Sequence, residues 1–240
     1  MSERKTVYTF YNKKTGEAEG IITAIAPKGI ISVTVGDDCW ISSECRLSIV
    51  VPNSVVSLRL SGVHIYGKSA LNIKIGNECS DFRLNDITLQ DESVLDIEVA
   101  GSCSSIRIND YYSNAGEMWA RTLNCCSIDL EDVSLVEDSV VRLRAMDNIM
   151  VKGLRMTEAS CLEVGSLTKP YQSLMYRPDN LIIEGVDMED ETLLSIEVNV
   201  TEMKDCEESA SSLIFKGIKL TGEVEIKRTL DRIDNAIIEI

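Results

Sequence analysis

Hydrophobic and polar residues alternate in short runs along most of the chain, and the runs recur at regular spacing. Phe82-Arg-Leu84-Asn-Asp86-Ile-Thr-Leu89 is followed by a short polar break and then by Val94-Leu95-Asp-Ile97-Glu-Val99, which gives the form ΦxΦx(G/D)ΦxΦ, break, ΦxΦxΦ. Its opening returns at Leu58-Arg-Leu-Ser-Gly62, Ile106-Arg-Ile-Asn-Asp110, Ile128-Asp-Leu-Glu-Asp132, Ile149-Met-Val-Lys-Gly153, Leu181-Ile-Ile-Glu-Gly185 and Leu213-Ile-Phe-Lys-Gly217. Starts at 58, 82, 106, 128, 149, 181 and 213 give spacings of 24, 24, 22, 21, 32 and 32 residues. Alternation with period 2 is the strand signature, so each unit predicts three short strands. The Gly or Asp fixed at the first bend marks a backbone conformation that these residues tolerate. No helix of ordinary length fits between the strands.

A unit of three short strands cannot bury its apolar side alone. Coiling it and stacking copies about 4.8 Å apart encloses a continuous aliphatic column, which is a parallel β-helix. In repeat length and three-strand pattern, residues 47–227 resemble the right-handed parallel β-helix architecture shared by pectate-lyase-like polysaccharide enzymes and phage tailspike cores. The resemblance implies an all-β fold, a single-stranded right-handed parallel β-helix (β-solenoid) of about seven to nine coils with three short strands per coil, capped at both ends. Within this one domain, residues 1–46 are expected to form an N-terminal cap and first irregular coil. Residues 47–227 are expected to form the helix, with inserts at 165–180 and 199–212 that explain the spacing of 32, and residues 228–240 a C-terminal cap shielding the core and its pairing edge.

Composition then narrows the partners. With 24 Lys+Arg against 39 Asp+Glu the net charge is −15, which argues against direct nucleic-acid binding through a basic face. Aromatics make up 5% of residues while hydrophobics reach 44%, so the core must be aliphatic. Eight cysteines include no CxxC pair, and a single histidine leaves few nitrogen ligands, so neither a metal site nor a cofactor is expected. The charged N-terminus lacks the apolar run of a secretory leader, and no stretch approaches the roughly 18–20 apolar residues of a membrane span. The expectation is a protein that is cytoplasmic where it is synthesised, or virion-associated if it belongs to a phage assembly.

Stacking turns equivalent positions into columns. Cys79, Cys103 and Cys125 precede their units by the same distance and predict a small buried thiol stack, continued by Met146, Pro178 and Ala210. One outward column reads Arg59, Arg83, Arg107, Asp129, Met150, Ile182, Ile214. Stacked arginines repel unless acidic neighbours or a bound anion compensate them, so this end is either neutralised in place or a groove for a uronic-acid sugar or a phosphate. Its apolar end, Met150, Ile182 and Ile214, is either covered by the inserts, which carry Tyr171 and Tyr176, or is a partner surface. The third repeat departs most from the pattern: Tyr112 and Trp119 form a candidate sugar-stacking platform or record a local distortion.

Three functional readings follow. The first is a non-catalytic binding or assembly protein that contacts a protein or a glycan through a lateral face and its inserted loops, with a homo-oligomer such as a trimer as one form of assembly. The second is an acidic inhibitor that mimics DNA, as pentapeptide-repeat gyrase inhibitors do on a β-helix, although their A(D/N)LXX pattern is missing. The third is a polysaccharide lyase or hydrolase, with Asp96, Glu98 and a neighbouring arginine as the residues to carry it. No catalytic residue is assigned, because the hydrolase signatures Asn-Thr-Asp, Asp-Asp, Gly-His-Gly and Arg-Ile-Lys are missing, and so are the P-loop, GxGxxG, GxSxG and HExxH patterns.

Overall fold

The computed structural model describes residues 6–12, 18–24, 32–35, 39–41, 44, 46–51, 55–122, 126–145, 148–165, 167–168, 175–176, 180–198, 212–230 and 235–239. The strands are β1 (Thr6–Asn12), β2 (Ala18–Ala24), β3 (Ser32–Val35), β4 (Cys39–Ile41), β5 (Arg46–Val51), β6 (Val55–Ile65), β7 (Ala70–Ile75) and β8 (Cys79–Gln90). They continue with β9 (Val94–Val99), β10 (Ser105–Asn114), β11 (Glu117–Thr122), β12 (Ser127–Val136), β13 (Val140–Arg144), β14 (Asn148–Met156) and β15 (Cys161–Gly165). The last are β16 (Leu167–Thr168), β17 (Met175–Tyr176), β18 (Asn180–Glu189), β19 (Thr192–Val198), β20 (Ser212–Thr221), β21 (Val224–Leu230) and β22 (Asn235–Glu239). Among the described residues there is no helix, and so none long and apolar enough to cross a membrane.

The chain alternates between two sheets. The first runs β1-β2-β5-β7-β9-β11-β13-β15-β19-β21 and the second β22-β20-β18-β14-β12-β10-β8-β6-β3, with β4 also on β6. Every neighbour in them is parallel except β1 on β2, and β16 and β17 form a small antiparallel pair inside the first insert. This is a parallel β-solenoid.

Two expectations need correction. The first two short strands of each unit are hydrogen-bonded as one long strand, so the described strands make two sheets and not three. The reason lies at the bend. Gly62, Asp86, Asp110, Asp132, Gly153, Gly185 and Gly217 all have φ between 52° and 65°, and a single left-handed residue turns the strand while the ladder skips only that position. Asn85 pairs Asn109 and Ile87 pairs Tyr111, on either side of the Asp86 and Asp110 bends. The second correction concerns coil number. About four consecutive turns, from β7 through β14, stand before the first insert with both strands and their burial described, fewer than the expected seven to nine.

Alternation sets the core. Every second residue on each side of the bend points inward and stacks on its equivalents, as in Leu58, Phe82, Ile106, Ile128, Ile149 and Leu181, all at most 3% exposed. Each such side chain is removed from water on all sides, a gain of roughly 1.5–3 kcal/mol apiece. Tyr111 takes a slot that Ile87 and Val133 fill in neighbouring coils, and Ala120 and Gly116 downstream are smaller than their counterparts Ile97 or Leu143 and Ser93 or Ser139.

Candidate functional site

The outward column of the second sheet follows the expected order. Register pairs Arg59 with Arg83, Arg83 with Arg107, Arg107 with Asp129, Asp129 with Met150, Met150 with Ile182 and Ile182 with Ile214. At the arginine end, Asp81 on β8 accepts from Arg59 Nε at 3.0 Å and from Arg83 Nε at 2.6 Å. The Arg59 hydrogen bond, helped by Arg83, holds the Asp81 carboxyl below its usual range against the effect of burial. Arg107 is more loosely held. It donates to Ser105 Oγ at 3.1 Å and lies 3.9 Å from Asp129, whose carboxyl burial pushes above its ordinary value while Arg107 pulls the other way.

Beyond Asp129 the column changes character. Met150, Ile182 and Ile214 are all half-buried, flanked on one side by Asn148, Asn180 and Ser212 and on the other by Lys152, Glu184 and Lys216. Asn180 donates to Asn148 Oδ1 at 2.6 Å, and Asn148 to Ser127 Oγ at 3.3 Å, a polar ladder beside the apolar strip. On the other flank Lys152 Nζ lies 3.6 Å from Glu184. An apolar strip with polar margins on both sides has the lay-out of a contact patch.

Tyr112 and Trp119 are not brought together. Tyr112 lies on β10, 36% exposed and in register with Thr88 and Ser134, while Trp119 lies on β11 in the other sheet. Trp119 Nε1 donates to Glu117 at 2.6 Å, and the Arg142 guanidinium sits 4.6 Å from the ring centroid, so one aromatic face already carries a cation. Tyr176 lies on β17, paired with Leu167, and Tyr171 lies outside the described residues.

Sequence reasoning singled out Asp96, Glu98 and a neighbouring arginine, which is Arg121, but passed over Glu117, Arg142, Arg144 and Glu163 beside them. Arg121 reaches Asp96 at 3.1 Å and Glu98 at 2.9 Å, Arg142 bridges Glu117 and Glu163, and Arg144 lies 3.5 Å from Glu163. The signal was present in the third strands of the middle units, where Lys74, Glu98 and Arg121 follow one another in one outward column and Arg142 and Glu163 in the next. Each of these four carboxylates holds an arginine, an arrangement suited to knitting coils together.

Two corners complete the surface. Cys79 pairs with Cys103, and Cys103 in turn meets Cys126; the expected Cys125 lies outside the described residues together with Met146, Pro178 and Ala210. The contact with Cys126 first, and burial after the opposing bond to Cys79, push the Cys103 thiol up to about 12. The bond to Cys103, then burial, raises Cys79 further still. Among the described residues no group of three or more His, Cys, Asp or Glu could hold a metal ion. At the corner between the two sheets, Glu137, Asp138, Glu158, Asp190, Glu191 and Glu223 line a shallow groove of about 630 Å³. Several of these acids have positive φ, with corner amides such as Glu92 N to Ala115 O at 2.9 Å carrying the ladder around the turn.

Comparison with protein-family models, with curated proteins and with solved structures gives no match to this chain, so nothing beyond the parallel β-solenoid itself supports the expected resemblance to pectate-lyase-like or tailspike proteins.

Proposed function

We propose that the chain is a non-catalytic β-solenoid that binds or assembles through the lateral face of its second sheet, at the Met150, Ile182 and Ile214 strip. The reading takes the solenoid as a right-handed coil, capped at both ends. The observation that carries it is the change of one column from paired arginines to half-buried aliphatics with polar flanks. Aliphatic side chains on a sheet's outer face gain from coverage, whereas Arg59 and Arg83 already hold Asp81 and gain less from a ligand. A protein surface or the apolar face of a glycan is the partner class that fits. Size-exclusion chromatography with light scattering, together with retention on immobilised neutral and acidic glycans, compares the wild type with Ile182→Glu plus Ile214→Glu. Assembly or retention should fall in the double variant, and unchanged behaviour of a folded double variant would overturn the reading.

A second reading draws on the acidic corner. Six carboxylates on successive coils face one groove, which favours an acidic mimic presented to a basic cleft. Glu137→Gln, Glu158→Gln and Glu191→Gln together should then abolish salt-sensitive capture of a basic protein such as a DNA-binding domain, and capture that survives the triple change removes this reading.

A further inference from the structure

We propose that the occupant of the apolar strip is a second copy of this chain, seated coil-antiparallel about a two-fold axis that runs parallel to the strands and lies between the β18 and β20 levels. The inference rests on the lateral-face reading and specifies its partner. Such an axis keeps each column facing itself while reversing the order of coils. Ile182 then meets the partner copy's Ile214 and Ile214 its Ile182, so the half-buried aliphatics cover one another.

The neighbouring column decides the orientation. Along it the register reads Glu131, Lys152, Glu184, Lys216, and the position that follows is Glu239. Charge alternates strictly from coil to coil, so reversal about this axis sets Glu184 against Lys216 of the other copy and Lys216 against Glu184. A two-fold along the coil axis would instead place Lys152, Glu184 and Lys216 opposite the neutral Asn148, Asn180 and Ser212, leaving every charge without an opposite. Lys152 and Glu184 also attract one another within a chain, but at 3.6 Å with side chains 41% and 37% exposed they remain accessible. In the coils before Asp129 the equivalent column is the neutral Ser61, Asn85 and Asn109, so the alternation accompanies the aliphatic strip and not the fold as such.

Three outward columns across four coils cover about 400 Å² per copy from strand rise and spacing. That is well under the roughly 800 Å² per partner of a long-lived complex, so the dimer is weak and should be read at about 0.1–1 mM protein. Sedimentation velocity is the measurement, on wild type, Glu184→Lys, Lys216→Glu and an equimolar mixture of the two single variants, with thermal melts to confirm folding. Each single variant should weaken self-association about tenfold or more, since like charges then face each other at two symmetric contacts. The mixture should recover wild-type association. In the mixed dimer the Glu184→Lys copy carries two positive charges at these positions and the Lys216→Glu copy two negative ones, so both cross-copy contacts join opposite charges while like charges persist within each chain. A wild type that stays monomeric, single variants that behave as wild type, or a mixture no better than its components would each overturn the two-fold arrangement. If Ile182→Glu plus Ile214→Glu removes association that the charge variants leave untouched, the lateral face stands and only this arrangement falls. If neither set acts, both fall.

Discussion

The outer face of the second sheet divides between β12 and β14. Before the division the central column is Arg59, Arg83, Arg107 and Asp129, its neighbours are neutral or serve as counter-charges, and the last three bends are Asp86, Asp110 and Asp132. After it the column is Met150, Ile182 and Ile214, the neighbouring column alternates in charge, and the bends are Gly153, Gly185 and Gly217. Both halves share one backbone path and the same inward aliphatic columns. A solenoid core therefore leaves its outer face free to vary, and the two halves differ: one pairs Arg59 and Arg83 with Asp81 within the chain, the other carries half-buried aliphatic side chains.

The bend, Asp in the three coils before the division and Gly in the three after it, supports the largest expected effect. Gly185 has φ of 65°, and a Cβ there would find no atom closer than Gly153 N at 3.6 Å, so strain and not crowding is the obstacle. Gly185→Val should lower stability by about 2 kcal/mol, seen as a shifted urea midpoint with an unchanged slope. Asp110→Gly makes the opposite substitution in the earlier half, where φ is 52°, and should raise stability by less than about 1 kcal/mol. Equal tolerance of Val at 185 and of Leu at Ser61 would show that the bend imposes no conformational demand.

Next in size is the charge compensation of the earlier half. Removing the Asp81 carboxylate in Asp81→Asn leaves Arg59 and Arg83 stacked without their shared acceptor. Because both arginines are half-exposed, the loss should be about 0.5–1 kcal/mol and should shrink in high salt. The folded Asp81 carboxyl lies below its unfolded value of 3.8, so its stabilisation is present above that pH and disappears as pH falls through the folded value. Stability curves of wild type and variant should therefore converge in acid, and a gap that persists at pH 2 would mean that Asp81 acts by packing.

Much of this was legible from the repeat alone. Period-2 alternation gave the inward columns, and fixed spacing gave the vertical order from Arg59 to Ile214, because stacking makes sequence equivalence into contact. What spacing could not give was anything decided by one residue of slippage or by side-chain reach. Cys103 meets Cys126, one position beyond the residue that the spacing singles out. Trp119 and Tyr112 are seven residues apart but on different sheets, since the corner at Ala115, φ 52°, turns the chain between them. The Arg121, Arg142 and Arg144 network was written in the third strands, yet its pairing depends on long side chains reaching across coils, which periodicity does not encode.

Asp129 sits at the boundary itself, and its expected effect is the smallest and the most specific. It occupies the slot between Arg107 and Met150, partly buried, with its carboxyl pushed upward chiefly by burial. A carboxyl whose folded value exceeds the unfolded one holds its proton more tightly when folded, so stability should fall as pH rises from 3.8 through the folded value. Asp129→Asn removes that dependence and should leave neutral-pH stability unchanged or a few tenths of a kcal/mol higher, since the lost 3.9 Å approach to Arg107 is a weak one. Asp129→Met goes further by extending the aliphatic strip one coil toward the N-terminus. In the coil-antiparallel dimer the β12 level lies beyond the overlap, so this substitution should leave dimerisation within about twofold of wild type, whereas an apolar patch that associates without register should gain with every added methionine. Sedimentation velocity on Asp129→Met thus tests whether the boundary between the two halves marks the edge of a specific interface or only the edge of an apolar surface.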